Sequence, residues 1–209
     1  MQSFRKMRQA IAATSLIFVS ASVAAVPITT LFSTGVDDTG APLPIGATEQ
    51  QYEVTTAHPN IFTPKVTSHG AYMPNSASSA WISLTSGHSS ATYETTFDLT
   101  GYDVSSASLD LNIAVDNSIT DVLINGVSTG FAITFGYPAF QSWSNLVISS
   151  DFVAGVNTLQ FLAVNSGGPG AFRVQASGDA TAVSEPGVVV LFSLGLIGLA
   201  MTRRSKAKN

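Results

Sequence analysis

SASLDLNIAVDNSITDVLINGVSTGFAITF, residues 106–135, decides the fold. Leu109, Leu111, Ile113 and Val115 fall on one side of an extended chain, with Asp110 and Asn112 on the other. Side chains alternate across a strand, so this pattern marks a strand with one face in a core and one in water. Asp116-Asn117 then offers a turn. Asn125-Gly126 is the preferred pair for a two-residue hairpin, because both central positions of that turn need positive φ. The stretch predicts three strands run as a meander.

Outward from it the same signals repeat. ATYETTFDL, 91–99, places Tyr93, Thr95, Phe97 and Leu99 on one face. NTLQFLAV, 157–164, is apolar on nearly both faces and reads as a central strand. NSGGPG, 165–170, is expected to turn it into AFRVQA, 171–176, as a last hairpin. Short strands are expected at Gln51–Thr55 and Ala80–Leu84. No amphipathic helical stretch interrupts this region. Eight or nine short strands with turns between them predict an all-β, antiparallel β-sandwich.

The two ends differ from this middle. Arg5, Lys6 and Arg8 precede an apolar stretch, 10–19, and then small residues, which is the order of a secretory signal cleaved after Ala24 or Ala25. At the other end, residues 188–201 are apolar except Ser193, Gly195 and Gly198. Ser184 suits an N-cap, Glu185 the positive end of the helix dipole, and Pro186 the first turn. A helix over 185–203 would reach about 28 Å, against a bilayer core of about 30 Å. Arg203, Arg204, Lys206 and Lys208 follow, and basic residues stay on the cytoplasmic side. The expected division is a signal helix at 1–25, the sandwich at 26–176, a linker at 177–184 and a transmembrane helix with a basic tail at 185–209.

Charge and composition exclude several functions. Between the ends stand twelve acidic residues against Lys65 and Arg173 alone, a formal charge of −10. Such a domain has no electrostatic footprint for nucleic acid and is repelled by polyanions unless divalent cations bridge them. Cysteine is absent, which removes thiolate chemistry. His58, His69 and His88 lack metal-ligand spacing, and no nucleophile elbow or phosphate loop occurs. Glu49, Glu53 and Glu94 form no recognisable glycosidase pair without geometry.

Two resemblances follow. Ser184-Glu185-Pro186, the apolar helix and Arg203-Arg204, on an exported chain, resemble the PEP-CTERM sorting signal. The family usually has proline where Ser184 stands. The resemblance covers about the last 26 residues. It implies a chain from a Gram-negative, exopolysaccharide-producing bacterium. Such a chain crosses the inner membrane by the general secretion machinery, is held there, and is then released to the surface by an exosortase. The second resemblance rests on Trp81-Ile82, Tyr93, Phe97-Asp98-Leu99, Asp116-Asn117, Asn125-Gly126 and Gly155-Val156-Asn157-Thr158-Leu159. Together these look like the galactose-binding-like jelly-roll domains, including those attached to carbohydrate enzymes. They are mostly turn and core positions, so they speak for the fold more than for a sugar.

Sugars bind on aromatic faces beside directed polar groups, since pyranose C–H faces are apolar and hydroxyls need partners. FGYPAFQSWSN, 135–145, combines turn residues, aromatics and amides and is expected to form a loop. The candidate sugar contacts are Trp143, Tyr137, Phe140, Gln141 and Asn145, with Asp116, Trp81 and Tyr72. Trp143 and Trp81 also suit a core. Asp37-Asp38 is a candidate for a structural calcium, with a solvated turn as the competing reading; no other cofactor is implied. Three functions stay open. One is a non-catalytic polysaccharide-binding module, with the cell's own exopolysaccharide as a partner. Another is a structural or adhesive matrix protein without a ligand site. The third, a hydrolase, has the least support.

Overall fold

The structure, a computed structural model, describes residues 24–58, 63–84, 90–134 and 139–183, with Gly195 beyond them. Among the described residues the strands are β1 (Ala25–Pro27), β2 (Glu53–His58), β3 (Lys65–Thr67), β4 (Trp81–Ser83), β5 (Ser90–Asp98), β6 (Tyr102–Asp116), β7 (Ser118–Ile124), β8 (Val127–Ser128), β9 (Ser144–Ile148), β10 (Val156–Val164) and β11 (Ala171–Ala182). They form two antiparallel sheets. The first has the order β3-β4-β11-β6-β9, with β1 on the far end of β11; the second is β2-β5-β10-β7-β8. Strands were expected at 51–55 and 80–84, and β2 and β4 lie within three residues of those bounds. Strands stand where none was expected at β1 and β3, each of three residues, while the third strand of the 106–135 stretch is the two-residue β8.

The alternating faces meet as expected. Leu109, Leu111, Ile113 and Val115 of β6 are fully buried, and so are Leu159 and Phe161 of β10, the centre of its sheet. Phe172 of β11 stacks on Tyr93 of β5 at 4.8 Å and lies 4.9 Å from Phe161, while Tyr52 closes the group at 6.1 and 6.2 Å. Aromatic pairs of this geometry add about 0.5–1.5 kcal/mol each beyond the area they bury. The cluster therefore ties the two sheets together.

Asn125 and Gly126 turn β7 into β8 with φ of 51° and 79°, the positive values that a two-residue turn requires. Asn125 also accepts from the Thr158 N–H and donates to the fully buried Asn157. Asn157 in turn holds the bend before β10, donating to the carbonyls of Val153 and Gly155.

Two expected hairpins are not hairpins. Asp116-Asn117 carries the chain from β6 in the first sheet to β7 in the second, so the meander breaks there. Residues 165–170 likewise carry β10 of the second sheet to β11 of the first. The reason is that alternation fixes which face of a strand is buried but not which strand lies beside it. β10 and β11 bring their apolar faces together across the core.

The expected linker, 177–184, is strand as far as Ala182. It pairs with β6 through Ala182↔Tyr102 and with β1 through Ala25↔Thr181. Its small residues serve packing. A Cβ on Gly178 would come within 2.7 Å of Leu109 and 3.1 Å of Ile28, and Ala180 is fully buried. Of the expected signal helix, 1–25, residues 1–23 lie outside the described residues and Ala25 opens β1; of the expected transmembrane helix and basic tail, 185–209, Gly195 alone is described. Among the described residues no helix is long and apolar enough to cross a membrane.

Candidate functional site

The outer face of the first sheet divides into a covered and an open part. In the covered part, β4, β11, β6 and the residue before β9 present Trp81, Arg173, Ala114 and Trp143. Residues 69–79 and 139–143 lie over them, joined where the Met73 N–H donates to the Phe140 carbonyl. The result is a second apolar cluster of Tyr72, Trp81, Ala114 and Ala171, with Phe140 and Trp143 packed at its margin.

Trp81 has no exposed surface, and its indole N–H donates to the Met73 carbonyl at 2.9 Å. It belongs to this cluster and presents no ring face to a ligand. Asp116 is buried as well, accepting 2.8 Å from the Tyr72 hydroxyl and 2.6 Å from the Asn117 amide. Burial, then that hydrogen bond, pushes the Tyr72 phenol well above its ordinary range. Phe140 packs 5.7 Å from Tyr72, and the Gln141 amide donates to the Ala71 carbonyl. Tyr137 lies outside the described residues.

Trp143 stands at the border. It is half-buried, and the guanidinium of Arg173 sits 4.8 Å from its ring centre. Arg173 is only 2% exposed. Its Nε donates to Ser79 Oγ, Nη1 to the Pro74 carbonyl, and Nη2 to Ser76 Oγ and the Ser79 carbonyl, all at 2.7–3.0 Å. Burial lowers its pKa to about 10. Carbonyls, hydroxyls and an aromatic face thus stand in for a carboxylate partner.

Below Trp143 the sheet is open. Asn145 of β9 lies opposite Asn112 of β6, which lies opposite Gln175 of β11. The next row is Val147, Asp110 and Ser177. Directly opposed side chains stand about 5 Å apart, and successive rows on one face about 7 Å. The Asn145 amide donates to Asp110 Oδ1 at 2.6 Å and approaches Asn112 Oδ1 at 3.3 Å. Asp110, Asn145 and Ser177 are exposed; Asn112 and Gln175 are partly so. Amide donors, amide and carboxylate acceptors and one half-buried aromatic ring therefore share one face of the sheet. Asn145 was expected in a loop and sits in a strand, which fixes it in this row. Asp110 and Asn112 were legible as the polar side of an alternating strand. Gln175 was not, since nothing in AFRVQA shows which strand lies beside it.

A second opening, a groove of about 630 Å³, brings together Glu49, Glu53 and Glu94. Glu49 is buried; its two oxygens accept from the backbone N–H groups of Gly35 and Gln51, and burial raises its pKa. Glu94 accepts 2.6 Å from the Gln160 amide. Glu49 thus ties two loops together. Asp37 Oδ1 accepts from the N–H and hydroxyl of Thr39 and from the Ala41 N–H, which holds its pKa down, while Asp38 accepts from Gln51. This pair builds a turn. Among the described residues no three His, Cys, Asp or Glu side chains gather as a metal site.

No protein-family profile and no curated protein matches the chain. Among solved structures, the sandwich is similar to carbohydrate-binding modules. A family 35 module from Paenibacillus barcinonensis is 13% identical, with 73% of this chain and 97% of that one covered and a TM-score of 0.36. A family 35 module from Cellvibrio japonicus is 11% identical, with 77% and 95% covered and a TM-score of 0.39. A family 29 module, complexed with mannohexaose, is 8% identical, with 79% and 100% covered and a TM-score of 0.41.

Proposed function

We propose that this chain is an exported surface or matrix protein, released by an exosortase, whose sandwich holds polysaccharide without cleaving it. The open face of β9, β6 and β11 carries the reading. The amide row Asn145, Asn112 and Gln175 runs beside the half-buried ring of Trp143. Amides both donate and accept, which matches the mixed demands of sugar hydroxyls. The C-terminal Glu185-Pro186 dipeptide, apolar run and basic cluster support export, transient anchoring in the inner membrane and later release.

The full chain, in mild detergent, tests the reading on a polysaccharide array with and without calcium. At least one polymer is expected to be retained, and Asn112→Ala with Gln175→Ala is expected to abolish retention in a folded protein. A chain that retains nothing under either condition is a structural matrix protein instead.

A further inference from the structure

Resting on that reading, we infer that the open face selects neutral polysaccharide and rejects chains that carry uronate or sulfate groups. Charge placement decides the preference. A face that recognises an anionic sugar supplies a cation or a cluster of backbone N–H groups to it. Between the two ends of this chain the Lys and Arg residues are Lys65 and Arg173 alone.

Neither serves the face. Lys65 is on β3, at the opposite edge of the sheet from β9. Arg173 is next to the amide row in register, but it is 2% exposed and spends its hydrogen bonds on Pro74, Ser76 and Ser79. Trp143 covers it further, so its charge is held inside the protein. The face itself carries Asp110, exposed in the row below the amides, and Asp179 follows on β11, also exposed. The nearest accessible charges to a bound chain are therefore negative, on a domain with a formal charge of −10. Asn145, Asn112, Gln175 and Ser177 offer what a neutral hydroxyl needs.

Affinity electrophoresis of the full chain in detergent, with a chelator in every arm, tests this. The probes are a panel of neutral and acidic polysaccharides, then the best-retained neutral polymer beside the same polymer after oxidation of its C6 hydroxyls to carboxylates. At low salt the oxidised form is expected to bind at least tenfold more weakly. In 1 M salt, where screening acts within about 3 Å, the gap is expected to close to about threefold or less. Asp179→Asn is expected to strengthen binding of the oxidised form at low salt. Retention of the oxidised or acidic polymers as tight as that of the neutral one overturns the inference and leaves polysaccharide binding standing. A loss that persists in full at 1 M salt reflects a missing hydroxyl and also overturns it. Retention of nothing removes the polysaccharide reading and this inference with it.

Discussion

Replacing each tryptophan by alanine separates the covered cluster from the open face. Trp81 is fully buried and donates its indole N–H to Met73. Truncating a buried Trp costs about 3–5 kcal/mol, and the orphaned carbonyl adds about 1 kcal/mol or more. Trp81→Ala is therefore expected to cost about 5 kcal/mol. Trp143 is half-buried, so about half of the truncation cost applies, or about 2 kcal/mol. Its stack on the desolvated Arg173 is worth about 1 kcal/mol more. A total near 3 kcal/mol lowers the melting temperature of a domain of this size by about 6–12 °C. The assay is a thermal melt run beside polysaccharide retention at a temperature where both variants are folded. Trp143→Ala is expected to lose at least tenfold in retention, and Trp143→Phe to recover part of it. Equal stability costs for the two tryptophans would make Trp143 a core residue. Full retention by folded Trp143→Ala would remove it from the site.

Intact-mass measurement on protein from the extracellular fraction of the native host is expected, on the proposed processing, to show a chain ending near Glu185, where the Glu-Pro dipeptide meets the apolar run. Residues 188–209 still attached in that fraction would reject processing. Glu49 has a raised pKa, caused first by burial. The stability it contributes is full below the ordinary glutamate range and is lost as pH rises through the raised value. The stability of wild type relative to Glu49→Gln is thus expected to fall as pH rises above the ordinary glutamate range; a difference that stays constant across chemical-denaturation curves taken upward from that range would show that Glu49 does not titrate there.

Strands were readable wherever burial had left an alternation. The faces of β5 and β6 follow from ATYETTFDL and SASLDLNIAV, and the Asn125-Gly126 turn follows from its φ requirement. The sheet to which each strand belongs was not readable. Asp116-Asn117 and the glycine-rich loop before β11 are short and turn-like whether the chain doubles back or crosses the sandwich. The expected linker, 177–184, looked like one because its residues are small and polar, yet Gly178 is small because Leu109 and Ile28 occupy the space a Cβ would need. The candidate site was partly legible for a similar reason. Trp143 and Asn145 stood out by residue type, but the amide row is a property of three strands whose neighbours no local pattern specifies. Trp81, which precedes an alternating strand and suited a core better than a site, is indeed sealed, in the cluster that holds Tyr72.

The pairing of β1 with the end of β11 has a mechanical consequence. Ala25 lies opposite Thr181, so both chain ends leave the sandwich at the same place. Tension applied through the two ends together unzips β1 from β11 one pair at a time, from Ala25↔Thr181 to Pro27↔Asp179, and needs little force. Tension between the C-terminus and a polymer seated on the open face takes another route. It runs along β11 itself, which carries Gln175 and leads directly toward the tail. There it pulls in shear on the whole ladder with β6, from Ala171↔Asp116 to Ala182↔Tyr102. Hydrogen bonds in that ladder resist together. The same sandwich is thus weak when stretched between its ends and strong when an anchored tail is pulled against a bound polymer.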